Sequence, residues 1–303
     1  MNTALIAFFA YIVDKFVGEF TVITHPVIFI GRYISWFEKK FYKNTFQRGL
    51  VLAVSTLGLT YVAIWLLETL LSSLPHGISI FISIVIASMF LAHHMLYHSV
   101  LDVINSSVPK EKIKYLVSRD TEDMDDHEIY KACIETYTEN INDGVIAPLF
   151  YLLLFGLKGL IIFKAISTLD SMVGYKNERY SHFGTAGARL DDIVGWIPAR
   201  ISALLIYLAA KGSYSFNTLK KYASGHESPN SGWPIAAAGL AFHLKLGGPT
   251  RYFGAIKNKP YLGDGSLPLT QQDVCNVLTL HSKIDYIVLG SMAAMITFLW
   301  LIQ

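Results

Sequence analysis

Three stretches of the chain, 50–74, 78–100 and 284–302, are almost unbroken in apolar residues and contain no proline. A helix that crosses the ~30 Å hydrocarbon layer of a membrane needs about 20 such residues. Backbone groups in lipid must bond one another, and runs of this length do so as helices. Glu68 is the single charge in the first run, while the second holds His93, His94 and His98. The "SLPHG" between them suits a tight helical hairpin. Composition agrees: 16% of the 303 residues are charged and 52% are hydrophobic, against about 25% charged in soluble domains. Mean hydropathy is +0.40.

Other segments are less uniform. The apolar run 4–13 ends at Asp14-Lys15, with no basic leader before it and no small-residue cleavage site after it; it predicts a retained, short first membrane helix. Segment 145–168 is long enough to span, yet "GLKG" at 156–159 sits at its middle. Two short arms around a glycine-rich turn would make a re-entrant hairpin, tolerated where protein buries it; a full crossing stays open as the alternative. Segment 193–210 carries Pro198 and Arg200. The expected fold is all-α: a polytopic helical bundle of about four to six spans, one of them re-entrant, forming a single membrane domain over 1–303. Its polar segments, 14–49, 98–144, 169–192 and 211–283, are too long for plain connectors and are expected to build a site at one membrane face. Lys39, Lys40, Lys43 and Arg48 place 36–48 in the cytoplasm by the positive-inside rule, and 98–144 with it.

The net charge of +2 gives no basic excess for nucleic acid. Cys133 and Cys275 form no CxxC pair and read as small buried residues. No GxxxxGK[ST], GxGxxG or GxSxG is present, and Asp143-Gly144 is followed by "VIAP" rather than the xxAR of membrane phosphotransferases that act on CDP-alcohols.

Three motifs carry candidate chemistry. In "ETYTENINDGVIAPLF", Glu135, Glu139 and Asp143 recur at i, i+4 and i+8. On an α-helix they share a face within roughly 80°. Like charges so spaced repel by a few tenths of a kcal/mol, and a hard cation such as Mg²⁺, which takes carboxylate oxygens, removes that cost. Asn140 flanks them; a solvated helix end is the alternative. In "STLDSMVGYKNERYSHFGTAGARLDD", Asp170 precedes Lys176, Arg179 and Arg189, then Asp191 and Asp192. Cations beside flexible glycines suit phosphate; a juxtamembrane loop meeting lipid headgroups is the other reading. In "SPNSGWPIAAAGLAFHLKLGGPTRYFG", a turn enters a helix of small residues that "GGP" ends. Asn230, Trp233 and Arg251 are ligand candidates there, and a structural turn is as good a reading. His94 and His98 have the i, i+4 spacing of a metal pair, but no third ligand is evident, and histidines bonded within the bundle are the simpler reading.

Six blocks in register resemble the CobD/CbiB family of cobalamin biosynthesis: "HPVIFIGRYISWFE" (25–38), "SRDTEDMD" (118–125), "ETYTENINDGVIAPLFY" (135–151), "TLDSMVGYKNERY" (168–180), "ARLDDIVGWIPARISA" (188–203) and "SPNSGWP…LGGP" (228–249). The chain departs from the family pattern at Ser118, Ser167, Gly195 and Ile235. The resemblance implies an ATP-dependent amide ligase. It would join the propionate of adenosylcobyric acid to aminopropanol phosphate, or ethanolamine phosphate, giving adenosylcobinamide phosphate. In that reaction Glu135, Glu139, Asp143 and Asp191 are expected to hold Mg²⁺, with Asp170 contributing. Arg119, Asn140, Lys176, Arg179, Arg189, Asn230 and Arg251 are expected to bind ATP and substrate phosphates. Asp192 is expected to take the ammonium proton. No tightly bound organic cofactor is implied. The expected setting is the plasma membrane, multi-pass, with the site facing the cytoplasm. Expected partners are the corrinoid, the aminoalcohol phosphate, the lipid bilayer, other membrane-bound late enzymes of the pathway, and a second copy of the chain. Two other readings compete: a Mg-dependent membrane prenyl- or phosphotransferase, and a non-catalytic membrane sensor or scaffold.

Overall fold

The computed structural model describes residues 2–20, 24–252 and 254–302. In chain order the helices are α1 (Asn2–Val17), α2 (Pro26–Phe41), α3 (Phe46–Ser72), α4 (His76–Met89), α5 (His93–Ile104), α6 (Pro109–Ile113) and α7 (Asp126–Ile141). A π-helical turn (Asn142–Ile146) leads into α8 (Ala147–Val173), followed by α9 (Thr185–Val194), α10 (Trp196–Ala210), α11 (Phe216–Ala223) and α12 (Gly232–Ala241). Four short strands, β1 (Leu246–Gly247), β2 (Thr250–Tyr252), β3 (Ala255–Lys257) and β4 (Tyr261–Leu262), precede α13 (Gln271–Leu278) and α14 (Leu280–Leu301). The protein is therefore all-α, with two minimal antiparallel pairs among the described residues, β1 with β4 and β2 with β3.

Among the described residues four helical stretches, Phe46–Ser72, His76–Ile104, Asp126–Val173 and Gln271–Leu301, are long and apolar enough to cross a membrane, or five if the bent pair Thr185–Val194 and Trp196–Ala210 counts as one span. On α3, Leu50, Val54, Val62, Trp65 and Leu70 are 43–62% exposed. A run of large apolar side chains facing outward along one helix is the mark of a lipid-facing surface.

The chain forms two compact units. The first comprises Met1–Ala92, Ala147–Gly195 and Met292–Gln303; the second comprises His93–Ile146 and Trp196–Ser291. In the first, α1 packs on α4, and α2, α3 and α9 pack on α8. Its core joins Ile34, Phe37, Leu52, Leu169, Val173 and Phe183. Helix α3 passes so close to Phe183 that a Cβ on Gly49 would lie 1.8 Å from the Phe183 carbonyl oxygen, so only glycine fits there. His25 starts α2 by accepting from the Val27 N–H through Nδ1 at 3.2 Å, with Pro26 in the first turn, where its missing N–H costs nothing.

The span expected over 78–100 is present as His76–Ile104, with a break inside it: α4 stops at Met89 and α5 begins at His93. The local sequence holds no breaker. At this end the imidazole Nε2 of His25 hydrogen-bonds the Met89 carbonyl oxygen, satisfying one of the acceptors that a helix end leaves open.

Segment 145–168 does contain a hairpin. Gly156 has φ +65° and ψ −155°, a conformation that no continuous α-helix accommodates. Tyr151 and Phe163 stack at 5.2 Å, and a Cβ on Gly159 would meet the Tyr151 carbonyl oxygen at 2.4 Å. The arms of α8, residues 147–155 and 157–173, run about 14 and 26 Å at 1.5 Å per residue, and the first continues back through the π turn into α7.

In the second unit, α12 packs on α7, α10 and α11. Asp125 caps α7 by accepting from the Glu128 N–H at 2.8 Å, and Glu128 accepts from the Asp125 N–H at 3.2 Å. This reciprocal cap fixes where the acid-bearing helix begins.

Candidate functional site

Helix α7 carries Glu135 inward, where it is 7% exposed. One carboxylate oxygen accepts from Arg119 at 2.5 Å, and the other accepts from the Gly247 N–H at 2.6 Å. Arg119 comes from the loop before α7, and Gly247 from β1. Gly247 adopts φ +70°, and a Cβ there would lie 2.5 Å from the Pro260 carbonyl oxygen. The first glycine of "GGP" thus brings a bare backbone donor to a buried carboxylate. Burial disfavours the Arg119 charge, but Glu135 beside it outweighs this and raises the guanidinium pKa.

These groups line a cavity of about 280 Å³ whose wall also includes Glu139, Asn140, His226, Ile235, Tyr252 and Lys259. Glu139 lies within electrostatic range of Arg119. The Asn140 amide donates to the Thr136 carbonyl at 2.9 Å. Lys259 donates to the Tyr252 hydroxyl at 2.7 Å and lies over its ring. The cavity therefore offers one buried ion pair, the Glu139 and Glu227 carboxylates, the latter paired with Lys257, and the Lys259 ammonium group. A second cavity of about 150 Å³ shares Arg119 and Thr250 and is lined by Asp123, Lys131 and Arg251.

The expected residues divide between the units. In the second, Arg119, Glu135, Glu139 and Asn140 meet around the larger cavity, but Asp143 is not among its lining residues. The α-helical spacing assumed for Asp143 ends at Ile141, where the π turn begins, and its carboxylate accepts from Asn142 at 2.6 Å. Arg251 pairs with Asp123 at the smaller cavity. Asn230 is buried and accepts from Arg200, whose guanidinium lies 4.3 Å from the Trp196 ring and 4.4 Å from the Trp233 ring. His94 and His98 lie ring to ring at 4.2 Å.

In the first unit, Arg179 bonds Glu38 at 2.9 Å and lies 4.6 Å from the Tyr42 ring. Asn44 fastens the same loop through the Glu178 carbonyl and the His182 and Phe183 N–H groups. Lys176 lies within electrostatic range of Asp192, and Asp191 of the Tyr151 hydroxyl. Arg189 is exposed. The Asp170 carboxylate folds over Gly174, where a Cβ would come within 1.9 Å of it.

Sequence reasoning missed the Gly247 donor, His226, Tyr252 and Lys259. "GGP" and "KNKP" were the available signals, but neither says which carboxylate the chain will reach.

The chain matches the family model described as "CobD/Cbib protein" over residues 7–281. It is 38% identical over 269 residues to "Cobalamin biosynthesis protein CobD" of Pelobacter propionicus, covering 84% of this chain and 83% of that one. It is 32% identical over 292 residues to the protein of the same description from Halalkalibacterium halodurans, covering 90% of each. A "Probable cobalamin biosynthesis protein CobD" of Pyrococcus furiosus is 35% identical over 249 residues, covering 80% of this chain and 85% of that one. No solved structure matches the chain.

Proposed function

The chain belongs to the CobD/CbiB family, and from that membership we propose that it is an ATP-dependent amide ligase, joining adenosylcobyric acid to an aminoalcohol phosphate to give adenosylcobinamide phosphate. The observation that carries this reading is the larger cavity, with Glu139, Lys259 and the Arg119–Glu135 pair around one small space. At about 280 Å³ it is at the small end of ligand pockets. That size suits the aminoalcohol phosphate and one propionate arm, not a whole corrinoid.

A carboxylate must be activated before an amine can displace oxygen from it. Its oxygen attacks the γ-phosphorus, the bond to ADP breaks, and an acyl phosphate forms. The amine then attacks the acyl carbon, a C–N bond forms, phosphate leaves, and the ammonium proton passes to a base. Glu139 is the carboxylate we assign to hold Mg²⁺, because both Glu135 oxygens already have donors and both Glu227 oxygens lie at Lys257. One carboxylate plus substrate phosphate oxygens is a fitting set for this ion, which would neutralise phosphate charge. Lys259 and Arg119 are assigned to the substrate phosphate. The cytoplasm, where ATP is supplied, is the proposed side, and the plasma membrane the proposed location.

The test is direct. Purified protein receives adenosylcobyric acid, aminopropanol phosphate or ethanolamine phosphate, ATP and Mg²⁺. A product of the condensed mass with one ADP per amide is expected. Folded protein that yields neither product with either amine refutes the reading.

A further inference from the structure

A second cluster lies in the second unit, outside the cavity just described. His281 and Asp285 stand at i and i+4 on α14 and so share a face. His93, the first residue of α5, meets them: its Nε2 is 2.6 Å from an Asp285 carboxylate oxygen. One ligand atom from each of the three falls within 4.8 Å of the other two. His93 and Asp285 are 3% and 1% exposed, and the Nδ1 of His281 is buried as well. Among the described residues this is the one such group.

Independently of these three, the Tyr137 hydroxyl of α7 is buried with no hydrogen-bond partner. It lies within electrostatic range of Asp285 and Tyr97. A buried hydroxyl left this way in a polar cluster points to an absent oxygen or ion.

We propose that His93, His281 and Asp285 form a binding site for a divalent transition-metal ion of the zinc class, clamping α5 to α14, with Tyr137 facing the ion's remaining position. Two imidazoles and a carboxylate are a common ligand set for such ions, with a fourth position for water. Nitrogen donors select against Mg²⁺ and Ca²⁺, which take oxygen. The site is therefore distinct in chemistry from the Mg²⁺ role given to Glu139.

The imidazoles of His93 and His281 stack at 4.0 Å with 7° between planes, and His281 also stacks on Tyr97 at 4.2 Å. An ion between two parallel rings would lie outside both planes. Binding therefore tilts the rings about their terminal torsions, which are broad for histidine, and opens the stack.

The test uses the full chain, purified in detergent without a polyhistidine tag and stripped by chelator. Zn²⁺ or Co²⁺ is added, and bound metal is counted after gel filtration. One equivalent is expected, and bound Co²⁺ is expected to show visible bands of a four-coordinate nitrogen–oxygen site. His281→Gln and Asp285→Asn, close in shape to the residues they replace, should each weaken binding at least tenfold. His98→Ala should leave it unchanged. Wild-type protein that retains no ion, or His281→Gln and Asp285→Asn proteins that bind as wild type does, overturns the proposal. Should either variant fail to fold, the wild-type Co²⁺ spectrum decides: octahedral, all-oxygen bands overturn it.

Discussion

Tyr151 and Phe163 stand twelve positions apart, yet their rings stack 5.2 Å from centroid to centroid with 13° between planes. A straight α-helix would separate them by about 18 Å. The contact exists because the chain reverses at Gly156, where φ is +65° and ψ is −155°. That region is nearly exclusive to glycine, and other residues pay about 1–3 kcal/mol to occupy it. Gly156→Ala should lower stability by about that amount, read as a fall in the thermal midpoint in detergent. Cysteines at 151 and 163 should be joined by a short bifunctional reagent, and in the Gly156→Ala background the yield should drop. An equal yield in both backgrounds would show that the reversal does not depend on glycine.

The Arg119–Glu135 pair is nearly sealed, with side chains 11% and 9% exposed. Removing one partner strands a buried charge at a cost of roughly 3–5 kcal/mol. Arg119→Met should therefore destabilise by about 3 kcal/mol. Glu135→Gln should cost less, since an amide oxygen can still accept from the Gly247 N–H. The double variant Arg119→Met/Glu135→Gln should be more stable than the sum of its single changes predicts. Unfolding of all four proteins in a cycle measures this coupling. A raised arginine pKa stabilises at every pH below its ordinary value and is lost only as pH climbs through the raised one. The pair's cation should therefore leave stability flat from neutral to mildly alkaline pH.

Two glycines on α3 make opposite forecasts. A Cβ on Gly49 would run into the Phe183 carbonyl oxygen, whereas one on Gly58 meets nothing within 4 Å. Gly49→Ala should destabilise by about 1–3 kcal/mol, the usual penalty of overpacking. Gly58→Ala should stabilise by about 0.5 kcal/mol through helix propensity. Paired melting curves in one detergent would separate them, and equal shifts would contradict the packing described.

Steady-state kinetics separates the roles proposed at the larger cavity. Glu139→Gln should lower kcat by roughly 100-fold, the scale of losing one group that stabilises developing charge. Lys259→Met should instead raise KM for the aminoalcohol phosphate about tenfold or more, the worth of one charge-assisted hydrogen bond. Loss confined to KM in both variants would remove Glu139 from the chemical step.

The long apolar runs made the helical membrane fold legible, and "GLKG" marked the reversal, because both signals are local. Other features depend on partners that the sequence does not place side by side. The partner that meets the end of α4 is His25, some sixty positions earlier. The short strands at 246–262 hold two or three residues each, too few for alternation to register. Periodicity put Glu135 with Asp143, but the π turn breaks the spacing, and Arg119 and Gly247 occupy Glu135. Spacing also drew notice to His94 and His98, while the buried neighbour His93 reaches Asp285 of α14.

The π turn at Asn142–Ile146 has a bearing on how this chain is aligned with its relatives. Such a turn holds one residue more than the α-helical turn it replaces. Deleting a residue there and restoring α-helical winding would leave the later side chains facing as they do, because the π turn already absorbs the extra residue. A one-position gap in this stretch would thus mark loss of the bulge, with the same side chains still facing inward.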